Sequence, residues 1–244
     1  MTKIIHLSDL HITSPHFLPS MLNGIIKKIN ILKPDMIIIT GDLTDDGYLY
    51  EYEKVLEYID KIECEKKLIV PGNHDARNCG YILFEEFFGD RQSYVNIDNI
   101  TIVGVDSSIP DEEDGHIGRE TYKYIEKSFS KHKNNFKILA LHHHLIPIPM
   151  CGRERDVPSD AGDVLNLLNE LKVDLVLCGH KHIPWIWKLN DMLILNAGTA
   201  CTSRTKARIK QSYNLIEINE HKKADIFRIF STDETIKKDL RKYF

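Results

Sequence analysis

Apolar positions in the first half of the chain alternate between two spacings. Residues 3–8 form a short apolar run that predicts a strand, and residues 36–40 form another, continuous enough for a strand buried on both faces. Between them Met21, Leu22, Ile25, Ile26, Ile29 and Leu32 fall at helical spacing behind Pro19 and Ser20. Leu49, Tyr52, Val55, Leu56, Ile59 and Ile62 predict a second helix, and residues 67–70 a third strand. Further strands are expected at 100–106, 137–141 and 174–178, with helices over 118–131 and 161–171. After Gly179 the pattern changes to hairpins. Residues 183–189 and 192–196 flank Asn190-Asp191, and residues 213–218 and 224–230 flank 219–223. The last dozen residues read as a short amphipathic helix with Ile236 and Leu240 on one side.

Strand–helix–strand units followed by antiparallel strands predict an α/β protein with a mixed sheet, or two sheets packed together, and helices outside. No repeat, low-complexity stretch or linker divides the sequence, so residues 1–244 are expected to form one domain.

Composition narrows the class. Hydrophobic residues at 42% and charged residues at 28% describe an ordinary soluble protein, and a formal charge of −4 offers no global attraction to nucleic acid. No apolar run approaches the ~18 residues that a membrane span needs. The first strand leads directly into Asp9 and His11, so cleavage of a leader would remove two candidate ligands. The five cysteines are odd in number and form no Cys-x-x-Cys pair, which argues against a disulfide framework and for a reducing cytoplasm.

Candidate chemistry gathers in five islands: Asp9-x-His11, Gly41-Asp42, Gly72-Asn73-His74-Asp75, His142-His143-His144 and Gly179-His180-x-His182. Each follows a predicted strand, so each is expected at a carboxyl end, where open α/β sheets gather their sites. Asp, His and Asn are the oxygen and nitrogen donors that bind Mn²⁺, Fe and Zn²⁺. Any one island alone reads as a turn; the ordered set points to a two-metal hydrolase. Two metals about 3.5–4 Å apart can clamp a phosphate ester, but they need a bridging anion between them. Asp42 suits that role, because it follows a buried strand and Gly41 would let the backbone approach closely. Asp9 and His11, and likewise His180 and His182, would share a side of an extended segment. Asn73 would supply an amide oxygen. The neighbouring His74 would face the substrate, donating a proton or stabilising charge, with Asp75 holding its imidazole in the required tautomer.

Across residues 9–182 this ordered set resembles the calcineurin-like metallophosphoesterase superfamily, and the compact size resembles its class III cyclic-nucleotide phosphodiesterases and related small phosphohydrolases. The resemblance implies a four-layer αββα sandwich of two mixed β-sheets flanked by helices. It also implies two metal ions per chain, Mn or Fe with Zn as an alternative, and a small phosphodiester cut by in-line attack of a metal-bridging hydroxide. Asp9, His11, Asp42 and His182 would bind one metal; Asp42, Asn73, His142 and His180 would bind the other; His74 would be the catalytic histidine. The family's usual strand end is His-His-Pro and its first histidine binds; His144 stands where the proline is expected, so His143 remains the alternative to His142. Asn196-Ala197-Gly198-Thr199 resembles the family's Asn-Pro-Gly-Ser element, which closes the floor of the site.

Substrate choice must come from the loops. Residues 145–160, with Arg153 and Arg155, are long for a strand-to-helix connection, as a lid or a contact in a homodimer would be. Arg204 and Arg208, in the basic stretch 204–210, are candidate anion-binding groups. The acidic run 111–114 would disfavour a long polyanion near the site, and Trp185 and Trp187 read as sheet packing ahead of a stacking platform. A phosphomonoesterase or nuclease, and a non-catalytic binding scaffold, are the competing functions.

Overall fold

The computed structural model describes residues 1–151 and 156–232 and the backbone of 237–239. In chain order the strands are β1 (Thr2–Leu7), β2 (Met36–Thr40), β3 (Lys67–Val70), β4 (Ser93–Ile97), β5 (Ile100–Gly104), β6 (Phe136–Ala140), β7 (Leu175–Cys178), β8 (Trp185–Leu189), β9 (Met192–Asn196), β10 (Ser212–Ile218), β11 (Ala224–Phe230) and β12 (Lys237–Asp239). The helices are α1 (Pro19–Leu32), α2 (Leu49–Ile59), α3 (Gly80–Phe88), α4 (Arg119–Ser130) and α5 (Ala161–Glu170).

The strands form two six-stranded sheets, in the orders β12-β11-β10-β1-β2-β3 and β4-β5-β6-β7-β9-β8. β1, β2 and β3 run parallel; β10 is added antiparallel beside β1, and β11 antiparallel beside β10. In the second sheet β5, β6, β7 and β9 are parallel, and β4 and β8 close its edges antiparallel.

Alternation along the strands separates three cores. Ile5, Leu7, Ile37 and Ile39 face α1, α2 and α3, packing on Leu22, Ile25, Tyr52 and Phe84. The opposite faces, with Ile4, Met36 and Ile38, meet Ile138, Ala140, Leu175 and Leu177 of the other sheet. Leu139, Val176 and Ile194 then face Ile125 and Phe129 of α4 and Val164 and Leu168 of α5. The result is the expected four layers, helices–sheet–sheet–helices. Because β2 contributes to two cores, its continuous apolar run is required rather than incidental.

Three elements differ from the sequence reading. Residues 80–97 carried no assignment but hold α3 and the edge strand β4, whose side chains are mostly half-buried and give a weak pattern. The expected terminal helix is replaced at Lys237–Asp239 by a strand pairing with β11, where backbone hydrogen bonding outweighs local periodicity; Ile236 and Leu240 lie outside the described residues. Ile183 and Pro184 belong to the loop that precedes β8. Trp187 packs against the outer core of the second sheet. No helix among the described residues is long and apolar enough to cross a membrane.

Candidate dinuclear metal centre

All five islands lie just beyond the carboxyl ends of β1, β2, β3, β6 and β7, and the packing of the two sheets brings these ends together. The first three come from one sheet and the last two from the other. Asp9, His11, Asp42 and His182 place donor atoms within 4.8 Å of one another, as do Asp42, His142 and His180. Asn73 Oδ1 joins the second group, 3.0 Å from His142 Nε2 and 2.9 Å from His180 Nδ1. Asp42 belongs to both: its Oδ2 lies 3.5 Å from His11 Nε2 and 3.4 Å from His142 Nε2.

The backbone does not reach this arrangement as an extended chain. Asp9, His11, Asp42, His180 and His182 all have positive φ, between 41° and 77°. The idea that residues two apart share a side of a strand is therefore corrected: the pairs converge through left-handed loop conformations, which cost energy and cluster at functional sites. Gly41 makes the approach possible. A Cβ there would lie 2.6 Å from Gly72 N and 2.7 Å from His142 Nδ1.

Hydrogen bonds at the far side of each ring set which nitrogen faces inward. His142 Nδ1 donates to the Thr40 carbonyl at 2.7 Å, and His182 Nδ1 donates to the Arg204 carbonyl at 2.7 Å. Their Nε2 lone pairs then point at other acceptors: His142 at Asn73 Oδ1, and His182 at Asp9 Oδ1, 3.4 Å away. Lone pairs and carboxylates converging in a buried space repel one another unless cations lie between them, so the donor set fits two metal ions.

Titration behaviour gives the same electrostatic picture. Burial alone would drive His142 down, but the charge of Asp42, with Asp9 behind it, holds it up at about 9. His11 is raised too: burial opposes, and Asp45, Asp42 and Asp9 together outweigh it. Burial would raise Asp42, yet His142, His74 and His11 keep it well below the carboxylate range. At His182 burial prevails over Asp9 and brings it down to about 4, and burial likewise lowers His180. Neutral imidazoles and ionised carboxylates are the forms that ligate metals, so ions entering the site would displace the protons that the carboxylates hold on His142 and His11.

Contacts distinguish His142 from His143. Both nitrogens of His143 are engaged elsewhere, Nδ1 with Ser107 Oγ at 2.9 Å and Nε2 with the Glu113 carbonyl at 3.1 Å. His142 alone of the two turns a nitrogen toward Asp42. His144 stacks on His180 at 5.7 Å.

His74 lines the cavity over the donors, and its Nδ1 donates to the Asp45 carbonyl at 2.6 Å, which leaves Nε2 for a ligand. The expected role of Asp75 is corrected. Its buried carboxylate accepts hydrogen bonds from the backbone N–H groups of Leu43, Thr44 and Gly72 and from Thr44 Oγ1 at 2.8–3.1 Å. With its lone pairs so occupied, it ties the loop after β2 to the loop after β3 and leaves the imidazole to Asp45. Asp45 also sets a carboxylate oxygen 3.3 Å from His11 Nδ1.

The cavity is about 280 Å³ and is lined by Asp42, Asn73, His74, Glu113, Asp156, His180, Lys181, His182, Arg204, Thr205 and Lys206. A larger hollow of about 520 Å³, between α3, α4 and the loop after β5, contains none of the donors. Arg204 reaches the cavity rim, with Nη1 3.7 Å from Asp45 Oδ1. Arg208 does not: it sits exposed in a turn at positive φ, and Lys206 lines the cavity in its place. Thr199 Oγ1 donates to the Asp9 carbonyl at 2.8 Å, so the 196–199 element braces the first island from below. Trp185 and Trp187 are not lining residues.

Asp45, Glu113, Asp156, Lys181 and Lys206 were not singled out in the sequence. Asp45 offered a faint signal, a carboxylate three residues after Asp42. Asp156, whose Oδ2 faces His180 Nε2 at 3.9 Å, lay within the long loop already suspected of covering the site. Arg153 and Arg155 of that loop lie outside the described residues.

Residues 2–184 match the calcineurin-like phosphoesterases, and the chain belongs to that family. It is 31% identical over 222 residues, 80% of this chain and 77% of the other, to a protein of Arcobacter nitrofigilis named a probable glycerophosphodiester phosphodiesterase. It is 26% identical over 216 residues, 82% of this chain and 84% of the other, to one of Xenorhabdus bovienii named a probable cyclic nucleotide phosphodiesterase. Among solved structures, a purple acid phosphatase from yellow lupin seeds superimposes with a TM-score of 0.76 at 16% identity, over 98% of this chain and 52% of that one. At that identity the likeness is one of fold. The chain is thus a metallophosphoesterase, a hydrolase of phosphate esters with a possible dinuclear His/Asp metal site.

Proposed function

We propose that this enzyme hydrolyses a small, polar phosphodiester at two metal ions, with Asp42 as their shared carboxylate. The observation that carries the reading is the position of Asp42 Oδ2, nearly equidistant from His11 Nε2 and His142 Nε2. Asp9, His11, Asp42 and His182 would hold one ion; Asp42, Asn73, His142 and His180 the other. Manganese or iron suits this mixture of nitrogen and oxygen donors, with zinc as the alternative. When bound, such ions would polarise the phosphoryl oxygens and lower the pKa of a water held between them.

The chain's own residues then do the remaining work. His74 donates a proton from Nε2 to the departing alkoxide oxygen, while the Asp45 carbonyl accepts from Nδ1 and fixes the ring's direction. Arg204 and Lys206 supply positive charge in the cavity lining and orient the phosphodiester anion, while Lys181 is paired with Asp156. No Phe, Tyr, Trp or aliphatic residue lines the cavity among the described residues, which favours a glycerol-like arm over a nucleobase. The name of the 31%-identical relative points the same way. A cyclic nucleotide is the second reading, supported by the names of other relatives.

A reducing cytoplasm suits five cysteines that are odd in number and form no Cys-x-x-Cys pair. The whole of residues 1–244 is taken to act as one unit, and light scattering would decide between a monomer and a homodimer.

The test is turnover by Mn²⁺-loaded protein of bis(p-nitrophenyl) phosphate, p-nitrophenyl phosphate, glycerophosphoethanolamine and 2′,3′- and 3′,5′-cyclic AMP, with His74→Ala as control. Faster cleavage of the diesters, led by the glycerol ester and lost in the variant, is the expected result. Preference for the monoester would sink the diester reading. A cyclic nucleotide leading the series would replace the glycerol arm with a base.

A further inference from the structure

The acidic run that the sequence left unplaced forms a hairpin over the second donor group. It leaves β5, closes with a bridge between Ser108 and Gly115, and carries Asp111, Glu112, Glu113 and Asp114. Only Glu113 lines the cavity. Its backbone carbonyl accepts from His143 Nε2, the histidine beside His142, and its carboxylate meets two partners. Oε1 pairs with Arg77 Nη2, and Oε2 accepts from Asn73 Nδ2 at 3.2 Å.

The bond to Asn73 has two consequences. It holds the amide so that Nδ2 points to the hairpin and Oδ1 points to His142 and His180. It also places a carboxylate immediately behind a neutral donor. An amide's nitrogen and oxygen are about 2.3 Å apart, so this charge lies one short link from the point where the second donor group converges. Arg77 does not cancel it, because the same guanidinium also serves Asp46 Oδ1 at 3.2 Å and the Asp45 carbonyl at 3.1 Å. Elsewhere in the lining Lys181 is paired with Asp156, while Arg204 and Lys206 add positive charge.

A phosphodiester carries one negative charge, whereas a phosphomonoester near pH 8 carries two. A fixed carboxylate close to the phosphoryl position penalises the second charge and is indifferent to a neutral ester arm in its place. We propose that Glu113 is a charge gate, selecting monoanionic diesters over dianionic monoesters at this site. The inference rests on the phosphodiesterase reading above and adds a residue that sets its specificity.

The two consequences of the Glu113–Asn73 bond can be separated. Glu113→Gln keeps an acceptor for Asn73 Nδ2 and removes the charge; Glu113→Ala removes both. With Mn²⁺-loaded wild type and both variants at pH 8, three quantities are compared. They are metal bound per chain, the kcat/KM ratio for p-nitrophenyl phosphate over its bis ester, and calorimetric affinity for inorganic phosphate against dimethyl phosphate. Glu113→Gln is expected to keep its metal content, to raise the monoester-to-diester ratio about tenfold, and to tighten phosphate relative to dimethyl phosphate by a similar factor. Both shifts should shrink in 1 M salt. Glu113→Ala should in addition bind metal about tenfold more weakly, as loss of an outer hydrogen-bond partner does.

An unchanged ratio and unchanged phosphate preference in a fully metal-loaded Glu113→Gln protein would overturn the gate and leave the phosphodiesterase reading intact. A wild type that binds no metal and cleaves neither ester would overturn that reading, and the gate with it.

Discussion

The two donor groups share Asp42 but are built differently. The first, Asp9-His11-Asp42-His182, holds two carboxylates and two imidazoles; the second, Asp42-Asn73-His142-His180, exchanges a carboxylate for a neutral amide. Their supports differ as well. In the first, the His180 backbone N–H donates to Asp9 at 3.0 Å and the Arg204 carbonyl accepts from His182. In the second, His142 leans on the carbonyl of strand residue Thr40, but Asn73 leans on the exposed Glu113 and His180 faces Asp156 from a distance. Affinity for a cation follows ligand charge and the rigidity of the site. Under the proposed assignment, the first group is expected to hold its ion more tightly than the second.

Removing the shared carboxylate should break the comparison outright. Asp42→Ala is expected to abolish binding at both groups and lower diester turnover roughly a thousandfold. Retention of a full ion in elemental analysis would show that Asp42 is not shared. Asn73→Ala should sharpen the comparison. Bound metal should drop from two ions per chain toward one, with activity falling about 10–100-fold and recovering partly in excess metal. Equal loss of both ions would contradict the asymmetry.

Asp75 supports both groups from beneath without facing either. Asp75→Ala should cost about 3 kcal/mol of stability, because it strands several buried N–H groups and a hydroxyl. Urea unfolding in the presence of a chelator isolates this effect from metal binding, and a wild-type midpoint would refute the latch.

The smallest effect concerns His6, whose Nε2 lies 2.9 Å from Thr40 Oγ1, behind the strand end that supports His142. Burial pushes its imidazole down to about 3 from an ordinary 6.5. The native state keeps it neutral while the unfolded chain takes up a proton below about pH 6.5, so stability falls as pH drops from 6.5 toward 3. His6→Gln should make that acid limb shallower by one proton per molecule, read from urea midpoints at successive pH values. An unchanged slope would mean that His6 is not the group refusing the proton.

Much of this could be read in advance, for a reason visible in particular residues. β2 is apolar from Met36 to Ile39 because two layers cover it, and the donors follow strand ends, where chain direction alone predicts convergence. The second-tier contacts were another matter. Nothing local in the sequence distinguishes Asp75, which latches loops, from Asp45, which steadies His11 and His74; the difference arises only when the loops after β2 and β3 meet. Arg208 misled for a similar reason: a basic run announces charge but not which side chain turns inward. Glu113 was hidden because its neighbours 111, 112 and 114 are also acidic, and only the fold selects one of them. The pattern at β4 and β12 was weak because edge strands are held by backbone pairing more than by an apolar face.

The spread of the donors along the chain also sets the order of events during synthesis. Asp9 leaves the ribosome first and His182 last among them, and β1 gains its antiparallel neighbour only when β10 follows. A growing chain therefore exposes Asp-x-His and Gly-Asn-His-Asp well before the second sheet can cover them. Both donor groups are therefore completed late, and a stalled or truncated product that stops before residue 180 lacks His180 and His182 and has no complete cluster with which to compete for metal.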